Sequence, residues 1–369
     1  MKHLAIIGGF LLLITINDSY AQGCVAIRGM ACGGANVNLM KGEFLVQPNF
    51  RYFRSFRHFR GDHEEKNRIE DGTQVINDSY FLDFNLNYGI TDRLYASINV
   101  PIVWHNRSSM YEHGGNPPNG LGERHSTSSQ GLGDVRIGMG YWLVDPAALK
   151  NYNYALGLGV KLPTGKYDYT DTFYNQGPDR DEDIEAVVDQ SIQPGDGGTG
   201  VTLDFQGFHS LSEKFVILTN FQYLFNLTET NGVLTRNGSS EFSSPDQFAL
   251  RTGVMYNTRV PGLATFLGGR LEGVPSDDAF GGSEGYRRPG YVISIEPALT
   301  YNLNSFSVNV GVPIAIKRER IRSFQDKQRL AQTGVYAHGD AAFADYLINV
   351  SVAFRFGGKH AMEPEYTNE

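Results

Sequence analysis

The sequence predicts an all-β protein: a transmembrane, antiparallel, up-and-down β-barrel of twelve strands with long extracellular loops and short periplasmic turns. Three observations predict it. Twelve segments alternate apolar and polar residues with period two. Each is near the roughly 9–11 residues that a tilted strand needs to cross a bilayer. Short and long connections alternate along the whole chain, and a secretory signal precedes the first strand. No later stretch is long and apolar enough for a transmembrane helix. In hydrocarbon every backbone polar group must be paired within the protein, and closed barrels of strands meet that demand.

The chain has 369 residues, with 43 Gly, 20 Tyr and 23 Phe, a composition that favours strands over helices. No linker or composition break divides it. The formal charge of -8 argues against nucleic acid as a partner. No motif asks for a cofactor.

Lys2 and His3 lead into the apolar run from Leu4 to Ile16, and Ser19-Tyr20-Ala21 supplies a small-x-small cleavage site. Residues 1–21 are therefore read as a signal peptide. Residues 22–42 follow as a Gly-rich segment without a clean period. It is read either as a periplasmic tail or as a plug tucked into the barrel. Its Cys24 and Cys32 are the only cysteines, and in an oxidising compartment such a close pair forms a disulfide. Two cysteines alone make no zinc site. The barrel is expected over 43–357, with 358–369 as a tail.

The strands are expected at 43–54, 79–89, 93–105, 132–144, 153–163, 199–210, 214–226, 247–258, 263–275, 290–302, 306–317 and 345–357. In the third, Leu94, Ala96, Ile98, Val100, Ile102 and Trp104 share a face. The fourth sets Ile137, Met139 and Tyr141 against Arg136, Gly138 and Gly140. In the fifth, Leu156, Leu158 and Val160 oppose Ala155, Gly157, Gly159 and Lys161. The last sets Tyr346, Ile348, Val350, Val352, Phe354 and Phe356 against Leu347, Asn349, Ser351, Ala353 and Arg355. Aromatic residues near strand ends, Tyr52, Tyr80, Tyr88, Trp104, Tyr141, Trp142, Tyr301 and Tyr346 among them, suit interfacial girdles.

Charges are costly against lipid, so those within strands should face the lumen. That set is Asp83, Asp134, Arg136, Lys161, Asp204, Arg251, Arg270, Glu272, Glu296, Lys317 and Arg355. They either line a pore or salt-bridge one another in a filled barrel.

Four stretches stand outside the strand pattern. The run Phe50 to Arg60, FRYFRSFRHFR, repeats every three residues, so its arginines must emerge on both faces. It is read as a solvated strand extension balanced by Asp62, Glu64 and Glu65, or as a binder of lipopolysaccharide phosphates. The loop 164–198 is acidic, and its alternating Asp179, Asp181 and Asp183 leave calcium as an alternative; it lacks the Gly and terminal Glu of an EF-hand, and no metal site is assigned. The loop 318–330 is basic and could lie against the acidic loop or against headgroups. His105, His125 and His209 sit in no G-x-S-x-G context, and no catalytic residue is assigned.

Gly131-Leu132-Gly133-Asp134-Val135-Arg136-Ile137-Gly138, followed by Ala155 to Gly165 reading ALGLGVKLPTG, resembles the outer-membrane family named for the meta pathway of phenol degradation. That family is related to the fatty-acid and hydrocarbon channels. The resemblance implies passage of small hydrophobic or aromatic molecules, and an N-terminal hatch at residues 22–41. The expectation is a non-enzymatic channel in the bacterial outer membrane, with lipid, lipopolysaccharide and a small solute as partners. The alternative is a structural barrel whose long loops dock another envelope protein.

Overall fold

The computed structural model describes residues 39–117, 120–148, 150–303 and 305–357. Twelve antiparallel staves form the wall. They are β1 (Glu43–Arg60), β2 (Ile76–Gly89), β3 (Leu94–Ser109), β4 (His125–Leu132 and Arg136–Trp142), β5 (Tyr152–Lys161) and β6 (Gly200–Ser210). Then come β7 (Phe215–Asn226), β8 (Gln247–Asn257), β9 (Leu263–Val274), β10 (Gly290–Leu303), β11 (Phe306–Gly311 and Ile314–Arg320) and β12 (Ala341–Gly357). Each pairs with its sequence neighbour, and β12 returns to β1 from Glu43↔Gly357 to Phe59↔Ala341, which closes the barrel. No free sheet edge remains in the wall at the level of these pairings, as a bilayer requires.

The burial pattern is inverted relative to a water-soluble protein. Leu158, Leu267 and Ile316 are 64, 61 and 60% exposed on the outer face, while Arg51 and Glu296 are 1 and 0% exposed inside. Fully buried charges are rare in ordinary cores, and a continuous apolar surface of this kind marks a lipid contact. The faces follow the expected alternation in β12, where Leu347, Asn349, Ser351 and Ala353 are buried and Tyr346, Phe354 and Phe356 are exposed. Tyr80, Tyr88, Trp104, Tyr141, Tyr301 and Tyr346 project outward. Trp142 does not: it is buried inside the periplasmic end, 6.4 Å from the Tyr95 ring. Its period-two parity with Arg136 points it inward, which outweighs the aromatic preference for an interface.

Several strands run past the expected ends on the extracellular side. β1 continues to Arg60, β2 begins at Ile76, and β12 begins at Ala341. The period-three run is therefore strand, with register shifts between Phe53 and Ser55 and between Ser55 and Arg57. Each shift inserts an extra residue and changes which face the following side chains meet. Alternation unbroken from Leu45 to Ser55 points Arg51 in and Arg54 out; beyond the shifts His58 and Phe59 are both buried, and Arg57 and Arg60 pair with Glu64 (2.7 Å) and Glu65 (2.8 Å) at the rim.

The long connections carry structure that the alternation did not announce. Hairpins form between Thr170–Gln176 and Glu182–Val187 and between Thr230–Leu234 and Glu241–Ser243. The basic loop contains a helix, Phe324–Thr333, opened by a capping box of Ser323 and Asp326 and closed by Gly334 at φ 68°. It leans on loop 275–289 through Lys327 and Asp277 (2.8 Å), and among the described residues no ion pair joins it to the acidic loop. The expected signal peptide and the Cys24–Cys32 disulfide lie outside the described residues.

Candidate solute pathway

The interior is polar and closely paired. On one side Arg251 donates to Glu296 (2.9 Å), Arg270 pairs with Glu272 (2.6 Å), and Arg270 lies 3.9 Å from Glu296. Arg251 also stacks on Phe266 at 3.9 Å. Arg51 and Asp83 face each other at 3.7 Å, with Arg51 over the Phe81 ring. Two positive and two negative charges in the first group neutralise one another, so that sector is a filled core.

The other side, under β2 to β7, holds space. A cavity of about 190 Å³ occupies the periplasmic half, lined by Asn85, Tyr95, Asn99, Asp204, Gln206 and Gln222, with Leu39 at its foot. A second cavity of about 70 Å³ lies outward of it, lined by His105, Lys161, Gln193 and Gln247 among others. Arg136 borders both. Its Nη1 donates to Gln222 (3.0 Å), and Gln222 donates in turn to Asp204 (2.9 Å); its Nη2 reaches Gln247 at 3.4 Å. Arg136 is thus a side-chain partition between two polar-lined cavities.

The outer end is covered by loop 162–199, and the GLGD…GLGVKLPTG residues explain how. β4 breaks between Leu132 and Arg136. There the Asp134 carboxylate accepts the N–H of Gly165 and the N–H of Asp196, both at 3.0 Å. Lys161 lies 3.6 Å from Asp134 and pairs with Asp196. The Thr164 hydroxyl donates to the Gly133 carbonyl (2.8 Å) and accepts from the Val135 N–H (2.9 Å). Gly165 and Gly195 pack so closely that a Cβ on Gly195 would meet the Gly165 carbonyl oxygen at 2.5 Å. The two halves of the motif clasp both ends of the loop to the broken strand.

Between those ends the loop descends into the mouth. Ile192 is fully buried, and its carbonyl accepts from Ser129. Gln190 donates to the Ser243 carbonyl (2.7 Å). Asp189 accepts two hydrogen bonds from Arg288 (2.7 and 2.6 Å) and lies 3.6 Å from Arg107. Burial pushes the Asp189 carboxyl up, but Arg107 and Arg288 outweigh it and hold it well below the usual carboxylate range. Of the acidic loop's carboxylates, Asp189 and Asp196 therefore act as inward anchors. Among the described residues no cluster of His, Cys, Asp or Glu is disposed to hold a metal ion.

Of the sequence-expected lining set, Asp83, Asp134, Arg136, Lys161, Arg251, Arg270, Glu272 and Glu296 are buried, and Asp204 borders the inner cavity. Arg355 sits at the periplasmic end, 3.7 Å from Glu43. Lys317 departs from the expectation. A register shift between Ile293 and Ser294 against β11 turns it outward, where it pairs with Glu319 (2.9 Å) and sits over the Tyr291 ring. Arg318 and Arg320 take the inward positions. Arg51, Arg107, Asp189, Asp196 and Arg288 belong to the interior and were not in the expected set. Arg51 was visible as part of the Phe-Arg run; the others lie in loops or beyond the expected strand ends, where period two gives no direction. His105 bonds Ser79 (3.0 Å) inside the wall.

A family model described as "Putative MetA-pathway of phenol degradation" matches residues 67–320, more than half of the chain. Comparison with curated protein sequences finds no significant match. Among solved structures, an outer-membrane channel from Pseudomonas putida F1 superposes with a TM-score of 0.58 at 12% identity, over 88% of this chain and 100% of that one. At that identity the likeness shows the fold. The Ralstonia pickettii toluene transporter TbuX gives 0.42 at 10% identity, over 86% of this chain and 90% of that one. The translocator domain of the autotransporter NalP from Neisseria meningitidis gives 0.41 at 8% identity, over 86% and 90%. A transporter and an autotransporter domain score alike, so neither likeness carries an argument about function.

Proposed function

The chain belongs to this phenol meta-degradation family and resides in the bacterial outer membrane, and on that premise we propose that it is a channel for passive entry of small hydrophobic or aromatic solutes. It is not an enzyme, whatever pathway the family's description names. The observation that carries the reading is the pair of cavities inside an apolar shell, separated by the Arg136 side chain and its two glutamine partners. A barrel whose only task were to hold its shape would gain nothing from polar voids divided by a side chain. The loop clasped at Asp134 closes the outer end, and segment 22–42 is the proposed second cover from the periplasmic side. Arg54 and Arg60, exposed on the outer end of β1, are the proposed contacts to lipopolysaccharide phosphates.

The test is outer-membrane uptake. Cells expressing the protein are compared with cells carrying an empty vector, using radiolabelled toluene at low concentration and glucose as a polar control. The protein should raise toluene entry and leave glucose entry unchanged. Arg136→Ala should raise it further, together with the ion conductance of the purified barrel in planar bilayers. Equal uptake with and without the folded protein would sink the channel reading and favour the partner-docking alternative.

A further inference from the structure

A third space lies apart from the two cavities in the barrel. It lies beneath the extracellular loops and the helix Phe324–Thr333, encloses about 400 Å³, and is bordered by five arginines and two aspartates. Asp189, Glu112 and Asp278, which pair with three of those arginines, lie outside the lining, and with Asp326 and Asp340 they balance the five guanidinium charges, so an anion would be drawn by open donors and not by net charge. Arg68 donates to Asp340 (2.8 Å), Arg107 to Glu112 (3.0 Å), and Arg287 and Arg288 each grip a carboxylate with two nitrogens.

Arg320 differs from the rest. It is 3% exposed, and among the described residues its one side-chain partner is Asp326 at 3.3 Å, through Nη2. Asp326 is already committed: it accepts from the Ser323 N–H (2.9 Å), the Ser323 hydroxyl (3.0 Å) and the Gly339 N–H (3.0 Å). Among the described residues none reaches Arg320 Nε or Nη1. A buried guanidinium with open donors is unfavourable unless something accepts from it. The space beside it also presents Tyr111 and Tyr286, whose rings suit a planar apolar group.

We propose that this cavity binds a small aromatic monocarboxylate, with its carboxylate paired to the Arg320 guanidinium and its ring beside Tyr111 and Tyr286. The volume accommodates one such molecule, and the open guanidinium donors of Arg320 favour an anion over a neutral hydrocarbon. The site deepens the channel reading by naming an entering solute, and it rests on that reading for its purpose. Its occupancy is measured without transport.

The full mature protein in detergent is dialysed to equilibrium against radiolabelled benzoate, benzyl alcohol and inorganic phosphate in turn. Benzoate should bind at least about tenfold more tightly than either of the others. Arg320→Gln should weaken benzoate about tenfold or more and leave benzyl alcohol unchanged. Equal binding of benzoate and benzyl alcohol, equal binding of benzoate and phosphate, or no benzoate binding by the wild type each overturns the proposal. So does wild-type benzoate affinity in Arg320→Gln. Should that variant fail to fold, Arg320→Lys keeps the charge and changes the donor geometry, and its retaining full affinity overturns the proposal equally. Benzoate binding without any solute entry would refute the channel and spare the site; toluene entry without benzoate binding would do the reverse.

Discussion

Asp134→Ala tests whether the motif clasp is what keeps the outer mouth covered. The wild-type carboxylate accepts two backbone N–H groups at 3.0 Å and lies 3.6 Å from the Lys161 ammonium, with Asp134 only 5% exposed. Alanine removes both acceptors. A buried donor left without a partner costs roughly 1–3 kcal/mol, so the pair sets a ceiling of about 6 kcal/mol. The freed loop can turn those amides toward water at the rim, which brings the expected loss to about 2–4 kcal/mol. A loss of about 3 kcal/mol raises the open population of the loop about a hundredfold. Asp134→Asn keeps one acceptor oxygen and gives up the charge, so it should lose about half as much. Limited proteolysis within residues 162–199 reads the open population, and ion conductance in planar bilayers reads the mouth. Heat-modifiable gel migration establishes that the barrel itself has folded. A folded Asp134→Ala barrel with wild-type proteolysis and wild-type conductance would refute the clasp.

Glu296→Ala leaves Arg251 and Arg270 facing each other across β8 and β9 with Glu272 as their remaining acid. Breaking a buried ion network from one side costs roughly 3–5 kcal/mol, so the urea midpoint of the folded barrel should fall clearly, and an unchanged midpoint would show the sector to be wetter than its burial implies. His113 gives a pH signature in the outer cover. Burial pushes its imidazole down to about 4, and its Nδ1 accepts the Tyr174 N–H at 3.1 Å, so the folded form holds it neutral. The unfolded chain takes up the proton first as pH falls, at its ordinary value of about 6.5. The contribution is therefore complete above about 6.5 and is lost as pH falls toward 4, on the order of 2–3 kcal/mol. The hairpin of Thr170–Gln176 and Glu182–Val187 should become protease-sensitive across that window, and His113→Asn, which keeps an acceptor and cannot titrate there, should flatten the change.

The wall was legible because period two is a geometric necessity of strands. Leu156, Leu158 and Val160 alternate with Ala155, Gly157 and Gly159, and twelve such strands joined by alternating short and long connections put that apolar face against lipid. Lys317 shows where that reasoning ends. A single register shift against β10 carried it to the outer face, and a shift of that kind is set by the partner strand rather than by the residues around Lys317. The Phe-Arg run shows both regimes: period two alone sends Arg51 in and Arg54 out, and beyond Ser55 the two shifts against β12 decide the faces. The Phe324–Thr333 helix was signalled by Ser323, Asp326 and Gly334, but it buries no residue, so no apolar stripe marked it.

By itself, then, the sequence determined what each local pattern must do against a bilayer: the strand count, the side that carries long loops, the outward apolar faces, and a family motif centred on Asp134. The tertiary structure alone decided which charges meet. Asp134 finds Gly165 and Asp196, Arg288 finds Asp189, and Arg320 is left beside open space. Alternation is a short-range consequence of backbone geometry and repeats at every strand. Pairing between loops far apart in sequence depends on how the closed barrel brings their ends together, and no periodicity along one strand encodes that.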